Sequence, residues 1–163
     1  MGYIIYKQAL SVDSAFLASD ICSLVNQYSK VKRMGRAGCE VKIRLPNSNV
    51  VRKPDGIYVP ISKWPLDRAL PRINAWNIVP DICLEVVSPS DIVEELQAKI
   101  GEYFREGVRQ VWVAYPVQQQ LFVYDSPVSI KILSRSDTLK GGDIIPGLEL
   151  PLSELFLNND PAT

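Results

Sequence analysis

Apolar residues recur along the chain at two spacings, and these mark out helices and strands. Between residues 14 and 29, "SAFLASDICSLVNQYS", Phe16, Leu17, Ile21, Leu24, Val25 and Tyr28 fall at helical intervals. The segment predicts an amphipathic helix with Asp13 or Ser14 as its N-cap. Strict alternation follows in "CEVKIRL", where Cys39, Val41, Ile43 and Leu45 interleave with Glu40, Lys42 and Arg44. That is the pattern of a half-buried strand. After the turn "PNSN", the stretch "VVRKPDGIYVP" predicts a second strand interrupted at Pro54-Asp55-Gly56. A proline inside a strand places it at an edge or a bulge. Residues 60–79, with Trp64, Pro65, Pro71 and Trp76, predict a long loop, uncommon enough in length to suggest function.

"PDICLEVVSPSD" predicts a third strand that hands over to a helix. In "DIVEELQAKIGEYFREG", Asp91 stands as N-cap with Glu94 in a box-like position, and Gly107 is placed to end the helix. "VRQVWVAYP", "LFVYD" and "VSIKIL" then read as strands, and the tail "GGDIIPGLELPLSELF" is turn-rich with a short apolar end. Antiparallel strands first and a crossover helix later describe an α/β chain with a mixed sheet, in one domain spanning residues 1–163.

Composition narrows the chemistry. The 163 residues contain no histidine, which excludes Ser-His-Asp and Cys-His machinery and the commonest zinc sets. A metal here would rest on carboxylates, backbone carbonyls and water, a set that suits Mg²⁺, Mn²⁺ or Ca²⁺. Cys22, Cys39 and Cys83 form no CxxC and no disulfide framework, so a reducing, cytoplasmic setting is expected. No apolar run reaches the roughly 18 residues of a membrane span, and "MGYIIYKQAL" has no long apolar region of a secretory signal. Net charge is +0 but uneven: residues 1–79 hold 12 Lys/Arg and 5 Asp/Glu, residues 80–163 hold 6 and 13. The basic run Lys30, Lys32, Arg33, Arg36, continued by Lys42, Arg44, Arg52 and Lys53, suits either a nucleic-acid face or ordinary solvated charge.

Strand parity singles out one acid. Asp81, Cys83, Glu85 and Val87 share one face of the third strand, and Ile82, Leu84 and Val86 share the other. A carboxylate inside such a strand needs a partner. Asp55 in the neighbouring strand is one, if the two carboxylates converge on a proton or a divalent cation. Lys99 is another, because Ile92, Leu96, Lys99 and Tyr103 lie in one helical row and Lys99 would point at the sheet. Simpler readings stand beside these: a plain buried Glu85–Lys99 salt bridge, Asp55 as a turn residue of "PDG", or Lys99 reaching out to water. Asp81 is some 13 Å along the strand from Glu85, too far to share one small ion.

Taken together, "RKPDGIYV", "PDICLEVVSPSD", "KIGEYFREGVRQVWVAYP" and "GGDIIPGLELPLSELF" resemble the Uma family of restriction-endonuclease-like proteins, within the PD-(D/E)XK nuclease superfamily. The resemblance runs from about Arg44 to Phe156. It implies a restriction-endonuclease-like fold and a metal-dependent endonuclease that hydrolyses DNA, with Mg²⁺ or Mn²⁺ held by Asp55, Glu85 and the strand backbone at Val86. It implies Lys99 as the catalytic lysine, since the superfamily's usual position, two after the second acid, is Val87 here. It also expects an acidic segment before the first helix, whereas no acid precedes Asp13; Asp13 and Asp20 are weak substitutes. A homodimer follows by analogy. The alternative is a catalytically degenerate nuclease fold acting as a DNA-binding or protein-interaction module. A third possibility is a structural dimer formed through Trp112, Tyr115, Phe122 and Tyr124, residues that otherwise belong to an ordinary core.

Overall fold

A computed structural model describes residues 10–156. The first helix, α1, spans Val12–Val31, and its buried residues include Leu17, Ala18, Ile21, Cys22 and Val25. Phe16, expected on the buried stripe, is 68% exposed. Neither Asp13 nor Ser14 is the cap: Ser11 holds the N-cap position without a side-chain cap bond.

The basic turn after α1 leads into β1, Gly35–Cys39, a strand that alternation alone did not predict. The expected strand over residues 39–45 is in fact split. Glu40 takes a left-handed backbone conformation (φ 53°), and pairing resumes only in β2, Ile43–Arg44. β2 forms a short antiparallel hairpin with β3, Val51–Arg52, across the predicted turn at residues 46–49. The "PDG" interruption separates β3 from β4, Gly56–Pro60. The segment between β4 and β5 (Ile82–Val86) is a loop, as expected, held to the β2 side by an isolated bridge from Trp76 to Ile43.

α2, Val93–Arg105, crosses over to β6, Gln110–Tyr115, which lies parallel to β5. β7 (Gln120–Ser126) and β8 (Ser129–Ser134) continue antiparallel, giving the sheet order β1-β4-β5-β6-β7-β8. A hairpin of β9 (Thr138–Lys140) and β10 (Glu149–Pro151) and a short helix α3 (Leu152–Leu155) complete the described chain.

α2 ends where Gly107 allows it. Gly107 has φ +102°, and the N–H groups of Gly107 and Val108 donate to the carbonyls of Phe104 and Tyr103. This paired closure needs a left-handed residue just past the helix. The predicted start fares differently. Asp91 does not cap α2; its carboxylate accepts the Ser88 N–H at 2.8 Å, and Ile92 occupies the N-cap position.

The parity of β5 divides the interior in two. Ile82, Leu84 and Val86 pack with α1, Trp112, Leu121 and the C-terminal hairpin. Cys83 packs on the opposite face with Ile43, Trp76, Ile100, Tyr103 and Val113. Covered on both faces, β5 is a near-continuous apolar run, as expected of a strand with a parallel neighbour. Trp112 and Tyr124 are buried in these clusters, while Tyr115 and Phe122 stack partly exposed with ring centroids 4.6 Å apart. Among the described residues, no helix is long and apolar enough to cross a membrane.

Candidate active site

The β4–β5 register pairs Gly56 with Leu84 and Ile57 with Cys83. Asp55 directly precedes Gly56, just beyond the last pair of that register and towards the end of β5 that carries Glu85. Pro54 carries no N–H and ends the ladder there. The Asp55 carboxylate takes over: its Oδ2 accepts the Val86 N–H at 2.7 Å. Asp55 is 4% exposed and Glu85 1%. The local sequence thus turns a strand end into a notch with two buried carboxylates.

α2 closes the other side of Glu85. Lys99 Nζ lies 3.2 Å from Glu85 Oε2, and the Tyr103 hydroxyl donates to Oε1 at 2.7 Å. The helical row read from the sequence therefore delivers both groups one turn apart. Tyr103 is the site residue that sequence reasoning passed over. It sat in the same row as Lys99, but its hydroxyl gives no periodic signal. Burial and the adjacent Glu85 charge push the Tyr103 phenol well above its usual range, and Cys83 on the same face is raised for the same two reasons.

Two further contacts hold α2 in place. Arg52 of β3 meets Glu102 at 2.6 Å, and the Glu106 carboxylate accepts the N–H groups of Asn47 and Ser48 at 2.8 Å each. Burial alone would raise the Glu106 carboxyl, but these backbone donors outweigh it and hold it below the ordinary range. On the α1 side, the buried Ser14 hydroxyl donates to the Val87 carbonyl at 3.3 Å, a link that the reading of Ser14 as a cap did not anticipate.

Beside Glu85 lies a cleft of about 490 Å³, bordered by Glu85 and Lys99, by Arg52 and Lys53, and by Asp91 and Glu95; Asp55 does not line it. The size is within the range of small-ligand clefts. Part of the basic run is consumed elsewhere: Arg36 donates to the carbonyls of Pro65 and Leu66, and Arg44 to Asn49. Asp13 and Asp20 are exposed on α1, and the segment in which an auxiliary acid was expected, residues 1–9, lies outside the described residues. Asp81, at the far end of β5, is bound to Lys63 and Arg109.

The donor set fits a hard divalent cation. Asp55 and Glu85 offer only oxygen, although the Val86 group that meets Asp55 is an N–H, which bonds the carboxylate and not a cation. Among the described residues, no cluster of three Asp, Glu, His or Cys that could hold a metal ion forms.

A family model described as "Uma2: Putative restriction endonuclease" matches residues 2–153. A search of curated proteins found no match. Among solved structures, the chain is similar to a crystal structure described as a "putative nuclease belonging to DUF820" from Anabaena variabilis ATCC 29413. The TM-score is 0.80 at 21% identity, covering 94% of this chain and 85% of that one. The fold is thus restriction-endonuclease-like, a mixed central sheet flanked by helices.

Proposed function

The chain belongs to the Uma2 family, and on that premise we propose that it is a divalent-metal-dependent endonuclease hydrolysing DNA phosphodiester bonds, with Asp55, Glu85 and Lys99 as its catalytic residues. The observation that carries this reading is the pairing of a buried Glu85 with Lys99 beside a cleft, with the buried Asp55 carboxylate bonded to the next strand residue, Val86. Asp55, Glu85 and the Val86 backbone would hold Mg²⁺ or Mn²⁺. When bound, the ion would supply Lewis acidity, easing deprotonation of a water and offsetting charge that grows on the phosphate. The Lys99 ammonium orients the attacking water and faces the developing negative charge. Tyr103 holds the Glu85 carboxylate in place through its hydroxyl. Lys53 at the cleft supplies a sequence-independent phosphate contact, which makes binding salt-sensitive. The domain comprises the whole chain, residues 1–163, and acts as a homodimer to cut both strands; light scattering at micromolar concentration tests the dimer.

One observation favours a second reading, a nuclease fold that binds DNA without cutting it: Val87 stands where the superfamily places its lysine. Plasmid incubation with Mg²⁺ or Mn²⁺ separates the two. Nicking by the wild type that is lost in Asp55→Ala, Glu85→Ala and Lys99→Ala supports the nuclease. Salt-sensitive DNA binding without nicking supports the second reading. Equal cleavage by all four proteins contradicts the assigned site.

A further inference from the structure

α1 and β1 cross at a point where two cysteines meet. Cys22 is buried on the sheet-facing side of α1, and Cys39 is the exposed last residue of β1. Three contacts set their sulfurs side by side. Cys39 Sγ reaches the carbonyl of Ala18, one helical turn before Cys22, at 3.5 Å. Cys22 Sγ reaches the carbonyl of Gly38, the residue before Cys39, at 3.7 Å. Gly56 lies directly opposite Cys39 in the β1–β4 register, and Cys22 fills the hollow it leaves: a Cβ on Gly56 would come within 2.5 Å of Cys22 Sγ.

The environments of the two thiols are unequal. The neighbouring Cys22 lowers the Cys39 thiol, and the nearness of Cys39, followed by burial, pushes the Cys22 thiol up. Thiolate character and access both favour attack by Cys39. Cys83 is fully buried and packs on the opposite face of the sheet from Cys22.

We propose that Cys22 and Cys39 form a peroxide-oxidisable thiol pair, in which Cys39 is oxidised first and Cys22 resolves it into an intrachain disulfide between α1 and β1. The Cys39 thiolate attacks one oxygen of hydrogen peroxide. The O–O bond breaks, and the departing hydroxide takes a proton, leaving a sulfenic acid and water. The Cys22 sulfur then attacks the sulfenic sulfur. The S–O bond breaks, the leaving hydroxide combines with the Cys22 proton, and a second water forms. Two thiols and one peroxide thus give one disulfide and two waters. The cross-link adjoins Gly56 and so pins the strand end that carries Asp55, whose charge both thiols already feel.

The test treats the reduced full chain with one to ten equivalents of hydrogen peroxide and maps tryptic peptides without reduction. The expected product joins peptides 8–30 and 37–42 with the loss of two hydrogens, and dithiothreitol reverses it. Thermal unfolding of the oxidised protein shifts up by roughly 5–10 °C. In Cys22→Ser the link is absent and Cys39 proceeds to the sulfinic acid, whereas Cys83→Ser links as fast as the wild type. Peroxide treatment that oxidises the chain elsewhere while Cys22 and Cys39 stay unlinked overturns the proposal. So does first oxidation at Cys22. The wild-type peptide map is decisive by itself, so the outcome does not hang on whether a variant folds.

Discussion

Asp81 and Glu85 stand at opposite ends of the same strand, on the same face, and both are buried. Their surroundings could hardly differ more. Asp81 binds Lys63 of the long loop and Arg109 at the start of β6, whose side chains are 36% and 51% exposed. Its backbone carbonyl also accepts the N–H groups of Arg109 and Gln110. It stitches a loop to the sheet. Glu85 is met from inside by Lys99 and Tyr103, which can reach it only because α2 lies across the strand. Two acids of one strand are thus told apart by whether their partners can turn to water. The partners of Asp81 are 36% and 51% exposed, whereas Lys99 is 15% exposed and Tyr103 is buried.

Truncation should widen that contrast most. Glu85→Ala leaves an ammonium and a phenol buried without their acceptor and should cost about 3–5 kcal/mol in urea unfolding. Asp81→Ala releases two solvent-facing cations and should cost about 1 kcal/mol. Plasmid nicking should vanish in the first variant and persist in the second. Equal stability losses would dissolve the distinction between the two ends.

Removing the cation sharpens the point. Lys99→Met takes the ammonium away from a buried carboxylate, with a loss of about 3 kcal/mol and at least about 10²-fold in nicking rate. Adding Glu85→Gln should recover most of the stability, because replacing both members of a buried pair is close to neutral. It should recover none of the activity. Next in size, Tyr103→Phe removes one hydrogen bond to a charged acceptor and should cost about 1.5–3 kcal/mol, read from the urea midpoint.

Much of this site was legible in the sequence because it rests on backbone periodicity. Parity alone put Glu85 on the opposite face from Ile82, Leu84 and Val86, and the helical row aimed Lys99 at it. Gly107 was legible too, since the closure of α2 needs its backbone. What stayed hidden had no periodic signature. β1 reads "GRAGC", with too few apolar side chains to alternate, and it is a strand because β4 offers a partner. Glu40 breaks the run that looked continuous because its backbone turns left-handed. Asp91 carries the chemistry of a cap, but Ser88 takes its carboxylate first. Phe16 extended the apolar stripe of α1 beyond the width the sheet covers. The basic run looked like one surface, yet Arg36 and Arg52 are spent on internal carbonyls and Glu102.

The smallest expected effects are those of pH. The Tyr103 phenol is raised in the folded state, so its contribution is complete below the unfolded value of about 10 and is lost as pH climbs above it through the folded value. The Glu106 carboxyl is depressed, so its contribution is present above the ordinary carboxylate value of 4.5 and fades as pH falls through the folded one. Unfolding curves from pH 3 to 11 should therefore sag at both ends. Tyr103→Phe should flatten the alkaline limb, and Glu106→Gln the acid limb.

The central claim is that the Glu85 end of β5, and not the Asp81 end, is a cation site. Calorimetric titration with Mn²⁺ tests it directly on the wild type, Asp55→Asn and Asp81→Asn. One ion per chain should bind to the wild type and to Asp81→Asn, and none to Asp55→Asn. Binding that survives in Asp55→Asn, or that disappears in Asp81→Asn, would contradict the account.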